Sequence, residues 1–379
     1  MPYEIKLSAP TAGFTAERCE GPGEMTVYVR GLFTPESGPL FYKMLEGLAG
    51  GYLGPHLSEG PRLVSNINNV LVIVRRDLTA TVYVDELGYQ SRIQPKRSVK
   101  KGEGIAREDI ADVDDFKLIH SKTGEISIGN DEGFYLLFRV GWKQALYFDL
   151  EPLVGNPREI PFGKTLAACW TLLTFDEVFS LTETDFQKLF DIGWFPFVGI
   201  LGPLFEGLSN TITDDTNPTK AIERICDAFD NETLDKMLKR FEKYAFLEEH
   251  IPFLETGIER LKAGDYLSSV HVVWPRIEGL MRKLLGYSNE RPSQQKLAES
   301  LRDHVVTNKP FSQLYLPVRF CEYLLAVYFK DFVPTEAEIQ ISRHSLAHGT
   351  ASNTDFSKQK ALIGLLIVEQ IAYYTSRSG

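Results

Sequence analysis

Residues 264–285 of the chain form the stretch GDYLSSVHVVWPRIEGLMRKLL. Apolar side chains recur in it at alternating steps of three and four residues, namely Leu267, Val270, Trp274, Ile277, Met281 and Leu284. This spacing puts them on one face of a helix as a continuous stripe. A helix with such a face packs against other helices, so the stretch predicts a core helix of a bundle.

The rest of the C-terminal third repeats the helical pattern. We predict further helices at residues 253–264, 293–306, 310–331, 336–347 and 355–376. The last of them contains SKQKALIGLLIVEQIAYY, which is apolar on most of its circumference. That pattern predicts a helix packed centrally or at a subunit interface.

The N-terminal part has a different pattern, with short β-branched and aromatic runs separated by turn residues. We predict strands at residues 25–33, 70–76, 79–87, 116–120, 125–128, 134–140 and 144–148. The turn segments 121–124 (SKTG) and 141–143 (GWK) have hairpin spacing, which favours an antiparallel meander of the last four strands. This part therefore predicts a β-rich domain.

Between these parts lie long amphipathic segments that begin after Pro161. We predict helices at residues 164–180, 183–208, 219–229 and 232–249, with N-caps at Thr182, Thr216 and Asn231. The polar stretch 209–220 is the best linker candidate. We predict an α+β multidomain protein with a β-rich domain at residues 1–160, a helical connecting region at 161–250 and an all-α bundle at 251–379.

Composition is that of a soluble globular protein, with 379 residues of which 43% are hydrophobic and 24% are charged. The four cysteines, at positions 19, 169, 226 and 321, form no C-x-x-C pair, so neither a disulfide framework nor a zinc ribbon is indicated. No basic start followed by an apolar run opens the sequence, which predicts a cytoplasmic location. The apolar stretch 190–208 contains acidic residues, glycines and Pro203, so it predicts a broken core helix and no membrane partner.

Charge is distributed unevenly around a net value of −10. Residues 251–379 carry 15 basic and 13 acidic side chains, whereas residues 1–250 carry 26 and 38. A polyanion meets less repulsion at the C-terminal domain than at the N-terminal part. The small excess of basic over acidic side chains is, however, not a basic surface of the kind that predicts nucleic-acid binding. The asymmetry permits RNA as a partner.

The C-terminal domain contains SRHSLAHG at residues 342–349. Phosphodiester cleavage without a metal needs a base for the ribose 2′-OH, an acid for the leaving oxygen and a cation for the phosphorane. Arg343 keeps its charge and offers a planar fork to phosphate oxygens, while His344 and His348 titrate near neutral pH. These residue types suit RNA cleavage, because the 2′-OH is the internal nucleophile. His348 beside Gly349 also fits a helix C-cap, and Arg343 fits an ordinary surface ion pair.

This segment resembles the motif of the HEPN superfamily, in which an Arg, a polar residue, three further residues and a His are commonly followed by Gly. Arg343, His348 and Gly349 match that pattern, and His344 fills the polar position where Asn is frequent. Residues 264–285 also resemble a branch of the superfamily in which a helix with a Pro and a following Glu precedes the motif. The resemblance covers about the last third of the chain.

The resemblance implies a helical bundle that forms a homodimer, with the Arg and His of both protomers facing one cleft. It implies a metal-independent endoribonuclease with a role in stress response or defence against phage. Arg343 would then bind the scissile phosphate, His348 would be the general acid/base, and His344 would assist. The alternative is a non-catalytic HEPN module that binds nucleotide or RNA or mediates dimerisation, as some members do. The N-terminal regions would be sensor or target-selecting parts with an unknown activator or ligand.

Three further residues on the 264–285 helix, His271, Glu278 and Arg282, form a second stripe with Pro275 beside the apolar one. They are supporting candidates, with Glu278 orienting Arg343 or a motif His; the alternative is an ordinary Glu278–Arg282 helix pair.

A cluster of basic residues lies on a predicted loop in the N-terminal part. Lys96, Arg97, Lys100 and Lys101 are candidates for binding the phosphates of a substrate, or else form a solvated surface. His344 and His348 are four residues apart, as in a zinc helix, but Ser345 stands where a general-base Glu is required and no third ligand is evident. No nucleotide-binding fingerprint is present, so we predict no metal and no cofactor.

Overall fold

The structure is a computed structural model that describes residues 2–7, 15–19, 25–28, 30–33, 67–138, 145–287, 290–330, 342 and 356–375. The chain divides into two compact units. Unit 1 comprises Met1–Arg92 and Asp114–Thr174, and unit 2 comprises Ile93–Val113 and Phe175–Gly379. Antiparallel sheets and numerous helices together confirm the predicted α+β class.

The predicted connecting region is divided between these units. Residues 161–174 belong to unit 1, whereas residues 175–250 belong to unit 2 together with 251–379. Unit 2 also contains Ile93–Val113, a segment from the part of the chain that was predicted to be β-rich. Each unit is therefore made of two separate stretches of sequence.

A six-stranded antiparallel sheet forms the centre of unit 1. Its strands, in chain order, are β1 (Tyr3–Lys6), β4 (Arg30–Phe33), β5 (Asn69–Val74), β6 (Thr79–Val84), β10 (Gly133–Phe138) and β11 (Ala145–Asp149). Their order across the sheet is β1-β6-β5-β10-β11-β4, and every neighbouring pair is antiparallel. All six residues of β10 are buried, so this strand is a continuous apolar run with no alternation.

Two smaller sheets complete the strands of the described chain. One pairs β2 (Thr15–Cys19) with β3 (Met25–Tyr28). The other has the order β7-β8-β9, with β7 at Leu87–Pro95, β8 at Ile110–His120 and β9 at Gly124–Ile126. The boundary between the units crosses β7 and β8.

The predicted four-strand meander is wrong at its centre. β8 and β9 form the expected hairpin around the SKTG turn, and β10 pairs with β11. However, β10 also pairs with β5, so the two hairpins belong to different sheets. The local pattern specified both hairpins, but β10 pairs with a strand about sixty residues earlier in the chain.

Two helices of unit 1 follow the sheet in sequence. α1 covers Glu151–Val154 and α2 covers Phe162–Thr174. The Phe162 ring stacks edge to face on Phe134 of β10, with a centroid distance of 4.7 Å. The other face of the sheet has its own apolar core, which includes Val72, Tyr135 and Phe148.

The described helices of unit 2 are mostly short in the middle of the chain and longer towards its end. They are α3 (Asp176–Phe179), α4 (Glu183–Asp191), α5 (Pro203–Thr213), α6 (Thr219–Ala228), α7 (Asn231–Phe241), α8 (Ile251–Lys262), α9 (Tyr266–Leu284), α10 (Gln294–Asn308), α11 (Pro317–Tyr323) and α12 (Lys358–Thr375). Single 3₁₀ segments occupy Arg107–Asp109, Val198–Ile200 and Ala245–His250, and α11 continues into a π-helical turn at Leu324–Tyr328.

Several predicted helices are shorter or broken in the structure. The predicted helix 183–208 is α4, a 3₁₀ turn and the start of α5, with a new helix beginning at Pro203 as expected from its missing N–H. The predicted helix 310–331 begins only at Pro317. Thr182 caps α4 as predicted, but the caps of α6 and α7 are Pro218 and Asp230 and not Thr216 and Asn231.

Helix α12 lies in the core of unit 2, as its apolar circumference predicted. Every residue from Ala361 to Tyr374 is buried. Gly364 lets α9 approach closely, because a Cβ at this position would lie 2.7 Å from Trp274 Nε1. The Trp274 indole donates a hydrogen bond to the Lys360 carbonyl at 3.1 Å and is itself fully buried. Among the described residues, none of the helices is long and apolar enough to cross a membrane.

Candidate functional site

Helix α9 carries the supporting candidates and is well defined at its start. Asp265 is its N-cap, and the Asp265 side chain accepts a hydrogen bond from the Ser268 backbone N–H at 3.1 Å. The buried face contains the predicted apolar stripe except at its ends, since Leu267 is 41% exposed and Leu284 is half-buried. The helix continues through Pro275, which has no N–H for the carbonyl one turn earlier.

The polar row on α9 contains a close ion pair. Arg282 donates from Nε and Nη2 to the same Glu278 oxygen, at 3.0 and 2.7 Å, and from Nη1 to the Glu290 carbonyl at 3.0 Å. The Glu278 side chain is 13% exposed. The geometry is therefore that of the helix pair considered above, in a partly desolvated setting that holds the carboxylate in one orientation.

His271 lies at the other end of this row, where it is exposed. Its ring packs against Phe356, with centroids 5.1 Å apart. Phe356 is the seventh residue after Gly349 in the sequence, so a side chain that follows the motif contacts the row of supporting candidates.

The three catalytic candidates, Arg343, His344 and His348, lie outside the described residues. Ser342, directly before the motif, is described and is buried. Within the ranges that the structure describes, no cluster of three His, Cys, Asp or Glu side chains is arranged to hold a metal ion. The roles of the motif residues stay predictions.

The basic segment follows β7 as a loop, and its members have different environments. Lys96 donates from Nζ to the Leu201 carbonyl at 3.0 Å. Arg97 is tied by Nε and Nη2 to the Asp109 carboxylate, at 2.6 and 3.0 Å, and also pairs with Glu103. Lys100 and Lys101 are exposed. Arg97 therefore forms ion pairs with acidic residues that follow it in the sequence, whereas the side chains of Lys100 and Lys101 are exposed to solvent.

A buried group of charges lies in the core of unit 2, and sequence reasoning did not find it. Arg240 donates from Nη2 and Nε to one oxygen of Glu369 on α12, at 2.5 and 3.0 Å. The other oxygen of Glu369, Oε2, is buried and has no hydrogen-bond partner among the described residues. It faces Gly199, where a Cβ would lie only 2.2 Å away. Nearby cations must therefore offset the cost of burying the negative charge of Glu369.

Lys96 is the second cation that interacts electrostatically with Glu369. Burial lowers the pKa of the Lys96 ammonium to about 8, and the attraction of Glu369 opposes this effect. A signal in the sequence was present, because Glu369 and Gln370 interrupt the run LIGLLIV and a charged residue in such a run needs a buried partner. The identity of that partner was not readable, since Arg240 lies 129 positions earlier.

No family model, curated protein or solved structure matches the chain.

Proposed function

We propose that the chain is a metal-independent endoribonuclease of the HEPN type. Arg343 binds the scissile phosphate and stabilises the charge of the transition state. His348 acts as general acid/base and His344 assists it. The active form is a homodimer, and the N-terminal regions select the target or sense a trigger in stress response or phage defence.

The observation that carries the proposal is the Arg-x-x-x-x-His-Gly motif at Arg343 to Gly349 together with the helix that precedes it. The described residues support it in two ways. Glu278 is a partly desolvated carboxylate fixed by Arg282, as a group that orients a cationic side chain needs to be. Phe356, which follows the motif, packs against His271 on the same row.

Cleavage of mixed RNA by the full-length protein in the presence of EDTA tests the proposal. We expect fragments that end in a 2′,3′-cyclic phosphate, because the 2′-OH is the nucleophile. Arg343→Ala and His348→Ala should each lower the rate by a factor on the order of 100 to 1000, as loss of one transition-state contact does. Matched controls are Arg224→Ala and His304→Ala, which remove an exposed arginine and a histidine outside the motif.

Glu278→Gln gives a second test, which concerns positioning. It keeps the shape of the side chain but removes its charge, so we expect an approximately 10- to 100-fold lower rate at saturating RNA, the usual value of a charge-assisted hydrogen bond. The pH profile of the variant should also move, because the carboxylate no longer biases the charge of a motif side chain. A Gln variant with unchanged rate and profile would show that the Glu278–Arg282 pair serves only the helix.

The non-catalytic module is the outcome if wild-type protein leaves RNA intact while binding it or a nucleotide. Sedimentation at micromolar concentration measures the dimer independently. A monomer that cleaves RNA with both motif residues intact would contradict the shared cleft.

A further inference from the structure

Arg276 on α9 differs from the other described arginines in having a partly buried guanidinium without a counter-ion. Its Cζ lies 3.9 Å from the ring centroid of Phe253 on α8, and Nε is buried with no hydrogen-bond partner in the part of the chain that the structure describes. Among arginines that the structure describes with no ion pair or hydrogen bond, Arg92, Arg224 and Arg291 are exposed, and Arg276 alone is half-buried. A desolvated cation without a partner is costly, so this arrangement is set up to accept an anion.

His250 is the last residue of the 3₁₀ segment that precedes α8, and it interacts electrostatically with Arg276. Its Nδ1 is buried and has no hydrogen-bond partner within the described ranges, and its ring faces Gly279 of α9, where a Cβ would lie 3.7 Å from Cε1. Burial lowers the pKa of His250, and the charges of Lys283 and Arg276 lower it further, while Glu249 opposes them. These effects favour the uncharged imidazole, and a negative charge placed nearby would favour its protonated form.

Among the described residues, no carboxylate forms an ion pair with Arg276. Lys283 is already paired with Glu249, at 2.9 Å between Nζ and Oε2. The guanidinium lies on the Phe253 ring, which is 39% exposed, and its Nη atoms, unlike Nε, are not fully buried and remain for hydrogen bonds. A planar fork with an adjacent imidazole matches the tetrahedral oxygens of a phosphate group.

We infer that Arg276 and His250, on the Phe253 platform, form a binding site for a phosphate group. Arg276 and Glu278 are two positions apart in the sequence, which places them about 200° apart around the helix, so this site lies on the opposite side of α9 from the polar row. It is therefore separate from the proposed catalytic row. The phosphate belongs either to the backbone of an RNA strand or to a small phosphate-containing molecule. The first alternative rests on the proposed function, and the second does not.

The first experiment uses inorganic phosphate and the full chain with ¹³C-labelled histidine. The pKa of His250 is measured by NMR in phosphate and in chloride of matched ionic strength, with the resonance assigned by His250→Gln. We expect phosphate to raise this pKa by about half a unit or more, as a negative charge within several ångströms does. Arg276→Met retains packing on Phe253 and should abolish the rise, whereas the exposed control Arg224→Met should retain it.

An uncleavable 2′-O-methyl RNA oligonucleotide separates the two sources. If the strand supplies the phosphate, the oligonucleotide raises the pKa of His250 and Arg276→Met weakens its binding about 3- to 10-fold. If a small molecule supplies it, inorganic phosphate has the effect and the oligonucleotide does not compete. An unchanged pKa of His250 with both probes overturns the site, as does an equal rise in Arg276→Met. Neither readout depends on RNA cleavage, so loss of the proposed activity leaves this test intact.

Discussion

We predict that the amine of Lys96 makes unit 2 more stable at about pH 9.5 than at about pH 8. Burial lowers the pKa of Lys96 in the folded protein to about 8, whereas the unfolded chain retains the ordinary value of 10.5. Between these two values the unfolded chain binds more protons than the folded one. The free energy of unfolding therefore rises with pH across this window, and the gain is absent below pH 8, where both states are mostly protonated.

The magnitude follows from the width of the interval. One pKa unit corresponds to about 1.4 kcal/mol, so the whole interval is worth roughly 3 kcal/mol. Between pH 8 and 9.5 the unfolded chain stays protonated while the folded Lys96 loses its remaining half proton. Integration over that range gives a gain of about 1.5 kcal/mol.

Urea unfolding at about pH 8 and about pH 9.5, followed by tryptophan fluorescence, measures this gain in the free energy of unfolding. Lys96→Met keeps the length of the side chain but cannot titrate, so the variant should lack the increase, while the exposed neighbour Lys100→Met should keep it. Tyrosines and other groups titrate equally in all three proteins and cancel in the comparison. Parallel pH dependence in wild type and Lys96→Met would refute the reasoning, because the amine would then titrate alike in both states.

Other predictions concern packing, charge and capping in unit 2. Gly364→Ala should lower the free energy of unfolding by about 1–2 kcal/mol in urea titration, because a methyl 2.7 Å from Trp274 costs more than the gain in helix propensity. Glu369→Gln should cost about 3 kcal/mol in the same assay, since Arg240 loses its carboxylate, and Arg240→Met in addition should recover part of it. Asp265→Ala should lower the midpoint of thermal unfolding by loss of the cap, and an unchanged thermal melt would contradict that role.

Local features of the fold were predictable because short-range chemistry decides them. Thr182 caps its helix at the position that the sequence indicated, since its side chain accepts the backbone N–H three residues later. Asp265 and Ser293 cap two further helices in the same way, although we had not predicted them as caps. The boundary at Pro317 was missed because Leu316, directly before it, adopts a left-handed conformation with φ of 46°, which a residue without glycine's freedom rarely does. A prediction from the sequence pattern assumes that a residue such as Leu316 has a negative φ.

Long-range contacts were not predictable from one sequence. β5 and β10 are both apolar runs, and nothing local shows that they pair with each other. The same holds for Arg240 and Glu369, whose attraction is evident only when α7 and α12 are brought together. For the catalytic candidates the sequence motif carries the prediction, and their proposed supporting residues on α9 form a Glu278–Arg282 pair and a His271–Phe356 contact.

The position of α12 in unit 2 has a consequence for synthesis of the chain. Residues 358–375 are made after every other described element, yet they occupy the core that α9 and its neighbours surround. Segment 93–113, which belongs to the same unit, leaves the ribosome more than two hundred residues earlier. Until α12 is made, the apolar surfaces that it covers have no partner, so we expect the nascent chain to bind chaperones and a stop codon before residue 358 to yield insoluble protein.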